Sequence, residues 1–328
     1  MQQLDNGTVD CIITSPPYWA LRDYGIKEQI GLEKTWQEYL QRLLDIFTEA
    51  KRVLKDSGTL WVNMGDTYGG SYCGYGQTEH SKGIQNVVKQ PYYPTSKMRP
   101  LSAKVFPKSL IGIPQRFSTA MIDNGWLLRN TIIWKKPNAM PESVKDRFTN
   151  DFEYLFFFTK TREYFFEQQY EDFLSNNYDM KRMTEGRKTY DGKWSKTENQ
   201  RKIRGRETAY VGKDAKGRNR RTVWEINTRP FKDAHFAVFP EQLIEVPILA
   251  GCPDGGLVLD PFMGSGTTAV VARKFNRDYI GFEINPEFVV IANKRLESSL
   301  GCLDNIDFIF KMKLQRKIAK AKLHLFSI

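Results

Sequence analysis

The chain has 328 residues, 41% hydrophobic and 13% aromatic, which is enough for one large domain or a domain with an insertion. Its net charge of +11 is compatible with binding to nucleic acid, with binding to an anionic membrane surface, or with no particular partner. The sequence shows neither a long apolar membrane span nor a secretory signal. Four widely spaced cysteines without a CxxC pair, and only three histidines, argue against a disulfide framework or a zinc site and predict a protein of the reducing cytoplasm.

The first third of the chain predicts alternating strands and helices. Residues 9–14 form a buried strand, and residues 31–54 show the apolar periodicity of a helix, which Asp56-Ser57-Gly58 is expected to stop. A second strand follows at 59–64. Residues 65–107 are rich in Gly, Tyr, Ser and Lys and predict a long mobile loop.

The middle of the chain predicts a helix at 114–124 and strands at 126–134, 152–159 and 163–166. Residues 176–222 differ in kind, because they carry fifteen Lys or Arg against six Asp or Glu and few aliphatic residues. Two interpretations are open. The segment is either a solvated insertion or a phosphate-contacting surface with aromatic side chains available for stacking on bases.

The last third predicts a helix at 240–249, a strand at 256–260, a helix at 267–275, a strand at 279–283 and a helix at 286–296. This order indicates a parallel, doubly wound α/β sheet that binds ligands at the carboxyl ends of its strands. The tail at 311–328 is basic and amphipathic, and no function is predicted for it.

The strand at 256–260 ends in Asp260, and a Gly264-Ser265-Gly266 turn leads from it into the next helix. Glycines let the backbone approach a ligand, and a helix amino terminus offers free N–H groups. About twenty residues further on, the next strand ends in Glu283, an acid placed to bind ribose hydroxyls. The pattern predicts a site for a nucleoside-type cofactor, with an ordinary tight turn as the alternative.

The first strand runs directly into Thr14-Ser15-Pro16-Pro17-Tyr18-Trp19. Two prolines cannot continue a strand, so these residues form a rigid loop. The Ser15 hydroxyl and the Pro16 carbonyl can accept hydrogen bonds, and Tyr18 offers a ring face for stacking. Such a loop suits an exocyclic amino group on a planar base. The alternative is a strand-ending proline turn packed by aromatic side chains.

The two segments TSPPYW and DPFMGSGTT together resemble the amino-group DNA methyltransferases that use S-adenosylmethionine. In that family a tetrapeptide of the form (Ser/Asp/Asn)-Pro-Pro-(Tyr/Phe) is the catalytic loop, and a DPF-x-GSGTT segment binds the cofactor. Here the catalytic segment comes first and the basic insertion lies between the two, which is similar to the permuted beta group. The resemblance covers about residues 9–296. It implies a doubly wound, Rossmann-like methyltransferase sheet with an inserted basic target-recognition region.

The resemblance also implies roles for individual residues. The catalytic residues are Ser15, Pro16, Pro17 and Tyr18. The cofactor-binding residues are Asp260, Pro261, Phe262, Gly264, Ser265, Gly266, Thr267, Glu283, His235, Phe236 and Phe239. The expected DNA contacts are Trp19, Lys136, Asn138, Lys181, Arg182, Arg187, Lys188, Arg201, Lys202, Arg204, Arg206, Arg218, Arg220 and Arg221. Asn63 ends its strand beside the expected site, and no metal is expected.

The implied organisation has a catalytic half at 1–175, a target-recognition insertion at 176–222, a cofactor-binding half at 223–310 and the basic tail. Family members commonly carry a short segment with an acidic residue ahead of the catalytic strand, where this chain has nine residues before Asp10. Residues 306–310 are a candidate substitute. The implied partners are double-stranded DNA and a cognate restriction nuclease without stable contact, for a cytoplasmic monomer or homodimer of prokaryotic or phage type.

The implied reaction is direct methyl transfer to the exocyclic nitrogen of a flipped base, without a covalent enzyme intermediate. Cys11 lies in the strand and not in the loop, which disfavours carbon-5 chemistry. Ser at the first loop position is typical of cytosine-N4 enzymes and Asp of adenine-N6 enzymes. The sequence therefore predicts cytosine N4 as the target. Adenine N6, an inactive DNA-binding relative, and methylation of RNA or of protein glutamine remain as alternatives.

Overall fold

A computed structural model describes residues 1–26, 28–69, 108–171, 218–229 and 238–298. Nearly all of the predicted loop at 65–107, most of the basic insertion at 176–222, and the segments 306–310 and 311–328 lie outside these residues. Within them, no helix is long and apolar enough to cross a membrane.

A seven-stranded sheet in the order β7-β3-β4-β2-β1-β8-β9 forms the centre of the fold, and a short pair, β5 and β6, lies apart from it. The strands are β1 (Val9–Thr14), β2 (Leu54–Met64), β3 (Leu127–Lys135), β4 (Phe152–Thr159), β5 (Tyr170–Glu171), β6 (Arg218–Asn219), β7 (Val223–Glu225), β8 (Leu257–Asp260) and β9 (Asp278–Gly281). The expected α/β sheet is confirmed with one difference, because β4 runs antiparallel to both of its neighbours, β2 and β3.

Five helices flank the sheet in the described part of the chain. They are α1 (Trp36–Val53), α2 (Ile113–Asp123), α3 (Glu241–Gly251), α4 (Thr267–Lys274) and α5 (Pro286–Ser298). All five were predicted, and the clearest difference is the start of α1. Thr35 accepts from the Glu38 amide while the Glu38 side chain accepts from the Thr35 amide, so a capping box begins this helix five residues later than the periodicity indicated.

Two other local predictions were wrong. Asp56-Ser57-Gly58 does not stop a helix, because α1 ends at Val53 and these residues lie inside β2. They form an irregularity there: Val9 faces Leu54 but Cys11 already faces Thr59, so the extra residues bulge out of the pairing with β1. Residues 163–166 are not a strand. They form a connection in which the Phe165 amide donates to the Ser57 carbonyl at 2.8 Å.

The sheet separates two apolar layers. Successive strand residues point to opposite faces, so Phe158 packs with Phe47 of α1 and Phe117 of α2, while Phe157 packs on the side of α3 and α4. On that second face the rings of Phe157 and Trp61 stack with centroids 4.0 Å apart.

The strands that follow β1 in the chain are added on two different sides of it, and the switch point lies between β1 and β8. From β1 the strands continue through β2 to one edge, whereas β8 and β9 lie on the other side. β1 and β8 are parallel neighbours, so their carboxyl ends meet at one edge of the sheet. Ligands of doubly wound sheets bind at such a point, and both predicted motifs begin there.

Candidate active site

The loop after β1 is held from behind by α1 and by the following segment. The Tyr39 hydroxyl of α1 donates to the Pro17 carbonyl at 2.8 Å. The Ala20 amide donates to the Gly31 carbonyl at 2.8 Å. Gly31 has a φ of +101°, and a Cβ there would lie 3.0 Å from the Tyr18 carbonyl oxygen, so glycine is required for this close approach. These contacts therefore fix the side of the proline loop that packs on α1 and on Gly31. The opposite side of the loop faces a cavity.

Side chains from β2 and β4 hold the front of the same loop. The Asn63 Oδ1 lies 3.3 Å from the Ser15 hydroxyl and 3.2 Å from the Tyr18 hydroxyl. The Tyr18 hydroxyl donates to Glu153 Oε2 at 2.6 Å, and Lys136 forms an ion pair with the same carboxylate. Glu153 was not predicted from the sequence, whereas Ser15, Tyr18, Asn63 and Lys136 were. Its signal is local, because it is the one charged residue in β4.

Burial raises the pKa of Tyr18 well above its usual value, and the neighbouring Glu153 carboxylate adds to this effect. Tyr18 is therefore a neutral hydroxyl donor with its ring fixed in place. Burial likewise raises the pKa of the Cys11 thiol, which lies inside β1 as predicted and is fully buried. A thiol kept protonated in a strand is not available as a nucleophile.

Asp260 ends β8 and is fully buried beneath the glycine turn. It accepts from the Thr14 hydroxyl at 2.6 Å, the Thr268 hydroxyl at 2.7 Å and the Phe262 amide at 2.9 Å. Burial raises the pKa of this carboxyl to about 6, against the effect of these hydrogen bonds. Because Thr14 precedes Ser15, Asp260 ties the end of β1 to the glycine turn and to α4.

The glycine turn is held by Glu283 and by a close helix. Glu283 accepts from the Gly264 amide at 2.7 Å and from the Asn285 amide at 2.8 Å. Gly266 has a φ of +83°, and a Cβ there would lie 2.8 Å from the Ala292 Cβ of α5. Arg295 of α5 donates to the Ser265 carbonyl and to the Thr267 hydroxyl, each at 2.9 Å. The turn is thus shaped by its own backbone and by nearby residues in the sequence.

Both motifs open into one cavity of about 570 Å³. Its wall includes Ser15, Pro16, Pro17, Tyr18, Asn63, Lys136, Glu153, Phe239, Pro261, Phe262, Gly264, Ser265 and Glu283. The structure therefore brings together the predicted catalytic tetrapeptide, Gly264 and Ser265 of the glycine turn, Phe239, and Glu283, the acid predicted to bind ribose. The predicted cofactor residues Asp260, Gly266 and Thr267 do not line this cavity. His235 and Phe236 lie outside the described residues. No group of three or more potential metal-binding side chains occurs among the residues placed by the structure.

The predicted DNA contacts have different positions. Trp19 is only 3% exposed and donates from its indole to the Glu33 carbonyl at 3.0 Å, so its ring packs in the core and offers no surface to DNA in this conformation. Asn138 is tied to Thr228 beside the cavity, through the Thr228 amide at 2.8 Å. The buried position of the Trp19 ring makes Trp19 a packing residue of the loop.

The three described arginines of the insertion gather near Glu171 and Trp224. Arg218 and Arg221 form ion pairs with Glu171 at 2.8 and 2.6 Å, and the Arg220 guanidinium lies over the Trp224 ring. The other predicted contacts lie outside the described residues: Lys181, Arg182, Arg187, Lys188, Arg201, Lys202, Arg204 and Arg206. Their contact with DNA stays a prediction.

The chain is similar to known proteins over most of its length. The sequence model of the family described as DNA methylase matches residues 9–294. The Type II methyltransferase M.Cfr9I of Citrobacter freundii is 45% identical over 298 residues, which are 90% of this chain and 84% of that protein. The Type II methyltransferase M.SmaI of Serratia marcescens is 40% identical over 296 residues, 90% of this chain and 87% of that protein.

Solved structures share the fold at lower identity. The PvuII DNA methyltransferase (cytosine-N4-specific) aligns over 93% of this chain and 83% of its own, with 20% identity and a TM-score of 0.56. A protein from Thermus thermophilus, complexed with S-adenosyl-L-methionine, aligns over 92% of both chains with 18% identity and a TM-score of 0.52.

Proposed function

The chain belongs to the family of DNA methylases that act on exocyclic N4 and N6 amino groups, and we propose that it methylates the N4 of a flipped cytosine in double-stranded DNA, with S-adenosylmethionine as the methyl donor. One observation carries this proposal. The proline loop after β1 and the glycine turn after β8 end neighbouring parallel strands and open into the same cavity. An acceptor group and a methyl donor held by these two segments would therefore meet.

The cavity suits S-adenosylmethionine in size and chemistry. Its volume of about 570 Å³ lies in the range of small-molecule sites, roughly 300–1,000 Å³. Glu283 lines it with a carboxylate whose two oxygens already accept from Gly264 and Asn285, leaving further lone pairs for ribose hydroxyls. Phe239, Phe262 and Phe282 add apolar wall. When bound, S-adenosylmethionine supplies an electrophilic methyl group on a sulfonium.

The residues of the loop would prepare the amino group. A cytosine amino nitrogen is a poor nucleophile because its lone pair is delocalised into the ring. Hydrogen bonds from its two N–H groups to Ser15 Oγ and to the Pro16 carbonyl would favour a pyramidal nitrogen and localise that pair. The Pro17 carbonyl already accepts from the Tyr39 hydroxyl, so it supports the loop, whereas the neighbouring Pro16 carbonyl would accept from the substrate. Much of the rate acceleration would come from orientation and electrostatics, and no covalent enzyme intermediate is needed.

The Tyr18 ring would stack on the flipped base, since its hydroxyl is anchored on Glu153 and its orientation is fixed. The choice of cytosine rests on Ser15, because a neutral hydroxyl at the first loop position is the form typical of cytosine-N4 enzymes. The basic segment at 176–222 would contact DNA phosphates. A cognate restriction nuclease, acting without stable contact, would complete a restriction-modification pair.

Nucleoside analysis by mass spectrometry tests the proposal. The purified protein is incubated with S-adenosylmethionine and plasmid DNA from a methylation-deficient host, beside Ser15→Ala and Tyr18→Ala variants. We expect N4-methylcytosine that disappears in both variants. N6-methyladenine would contradict the choice of base and retain the catalytic loop. No modified base, despite measured cofactor binding, would point to another acceptor or to a target sequence that the plasmid lacks.

A further inference from the structure

The side-chain amide of Asn63 has a fixed orientation. Its Nδ2 lies 3.1 Å from Glu153 Oε2 and 3.1 Å from the Tyr154 carbonyl oxygen. An ionised carboxylate and a backbone carbonyl can only accept hydrogen bonds. The amide nitrogen must therefore face them, and the amide oxygen must face the opposite way, toward the catalytic loop.

This orientation determines which way the Ser15 hydroxyl points. The Asn63 Oδ1 lies 3.3 Å from Ser15 Oγ and, being a carbonyl oxygen, can only accept. Ser15 therefore donates its single proton to this side of the pocket, where Asn63 Oδ1 and the Tyr18 hydroxyl oxygen, whose own proton goes to Glu153, are the acceptors. The lone pairs of Ser15 are left facing the cavity, where they can accept an N–H group. If the amide were reversed, Ser15 would accept from Asn63 and could present its proton to the substrate amino group instead.

The charge on Glu153 keeps this arrangement in place. Its carboxylate is 17% exposed and paired with Lys136, whose ammonium also lies 4.6 Å from the Trp134 ring centroid. The Tyr18 hydroxyl donates to it at 2.6 Å. The two carboxylate oxygens accept from three donors at once, Lys136, Tyr18 and Asn63.

We propose that the Lys136–Glu153 ion pair, acting through Asn63, sets the direction of the Ser15 hydrogen bond and so requires a donor side chain at position 15. The inference rests on the proposed function of Ser15 as the acceptor for the substrate amino group. Lys136, Glu153 and Asn63 are positioning residues in this scheme. It also explains why serine, and not aspartate, suits this pocket: a carboxylate at position 15 would face the Asn63 carbonyl oxygen with an oxygen of its own.

Two substitutions of equal size test the requirement for a donor. In Ser15→Asn the new amide can donate its NH₂ to Asn63 and turn its carbonyl oxygen to the cavity. In Ser15→Asp both oxygens are acceptors. We expect Ser15→Asn to keep kcat within about 10-fold of the original and Ser15→Asp to lose about 100-fold or more, as unmatched charged hydrogen-bond partners cost. The KM for S-adenosylmethionine should change little.

The Glu153→Gln variant tests whether Glu153 sets the preference for serine over aspartate at position 15. Lys136 would hold the amide oxygen of the new side chain, so the NH₂ of that amide would face Asn63 Nδ2, and only the Tyr154 carbonyl would still favour the original Asn63 orientation. Where Asn63 reverses, Ser15 would receive a hydrogen bond, and kcat would fall by about 10-fold or more. Ser15→Asp would instead gain activity in this background. In a double-mutant cycle of kcat, the loss in the Ser15→Asp, Glu153→Gln double variant should therefore be smaller than the sum of the two single losses in activation free energy. A residue that only supported the fold would lower activity alike with serine and with aspartate at position 15.

Glu225→Gln is the matched control, because Glu225 pairs with the neighbouring Lys135 at 2.8 Å on the exposed side of β3 and β7. It removes the same charge and should leave the preference at position 15 unchanged. Equal losses with serine and with aspartate at that position in the Glu153→Gln background would overturn the inference. So would full activity of Ser15→Asp in the original background. Absence of DNA methylation by the unaltered protein would instead refute the proposed function.

Discussion

The loop after β1 and the glycine turn after β8 lie side by side, but different contacts hold them. The loop depends on side chains from distant parts of the chain: Tyr39, Asn63 and Glu153. The turn depends on its own backbone, on Glu283, 19 residues from Gly264, and on Arg295, 30 residues from Ser265. A site that must orient an amino group needs several independent supports. A site that binds a cofactor needs mainly a backbone that allows close approach.

Asp260 joins the two regions directly, so its loss should have the largest effect. Asp260→Ala would leave the Thr14 and Thr268 hydroxyls and the Phe262 amide without their acceptor in a fully buried site. Each unsatisfied buried donor costs about 1–3 kcal/mol, so we expect the free energy of unfolding to fall by about 3 kcal/mol or more. Urea denaturation measures it.

Asp260→Asn is the control for Asp260→Ala, because it keeps the volume and one acceptor oxygen. Burial raises the pKa of Asp260 from 3.8 to about 6, so the folded protein binds a proton that the unfolded chain releases. The resulting stability is fully present below about pH 4 and is lost as the pH rises through about 6. The advantage of Asp over Asn should therefore shrink between about pH 4 and about pH 7. An advantage that grew over this interval would contradict the assignment.

Glu283 distinguishes the turn from the loop. Glu283→Ala removes the acceptor of the Gly264 and Asn285 amides and a carboxylate of the cavity wall. We expect the Kd for S-adenosylmethionine, measured by calorimetry, to rise about 10-fold to 100-fold, equivalent to about 1.4–2.8 kcal/mol. The kcat at saturating cofactor should change little. Glu287→Ala removes an exposed charge at the start of α5 and serves as the control. Unchanged cofactor affinity in Glu283→Ala would remove Glu283 from the cofactor site.

The same difference explains what could be predicted from the sequence. The glycine turn, its preceding Asp260 and the following Glu283 form one short pattern, and the structure places them as that pattern indicates. The proline loop was also recognised, but Glu153 lies 135 residues from Tyr18 in the chain, and pairing with it depends on the antiparallel course of β4. Nothing local predicts that reversal.

The errors in element boundaries have local physical causes. The apolar periodicity continues upstream of α1, but the Thr35–Glu38 capping box begins the helix at Trp36, and this pattern is visible in the sequence. Asp56-Ser57-Gly58 has the composition of a turn and does interrupt regular pairing. It does so as a bulge within β2, where a Cβ on Gly58 would lie 2.6 Å from Leu54 Cδ1 and 3.0 Å from the Asp10 carbonyl oxygen, so glycine fits this position. Composition indicated an irregularity and could not distinguish these two forms.

Tyr39→Phe should have the smallest effect, and it tests most directly whether the loop after β1 is supported separately from the glycine turn. The substitution keeps the buried ring and removes only the hydroxyl that donates to the Pro17 carbonyl at 2.8 Å. A neutral hydrogen bond contributes about 0.5–1.5 kcal/mol, so a rigid loop that loses it should show a kcat lower by about 2-fold to 10-fold. The Kd for S-adenosylmethionine should stay unchanged, because the hydroxyl of Tyr39 supports the loop and not the glycine turn.

Tyr164→Phe is the matched control for this loss of a phenol hydroxyl. The Tyr164 hydroxyl accepts from Arg129 at 2.9 Å in an exposed position away from the cavity, so kcat should be unaffected. A Tyr39→Phe protein with weaker cofactor binding and normal kcat would reverse the expected division. The loop and the turn would then be coupled through α1 as well as through Asp260, and the catalytic loop could not be treated as a separately supported element.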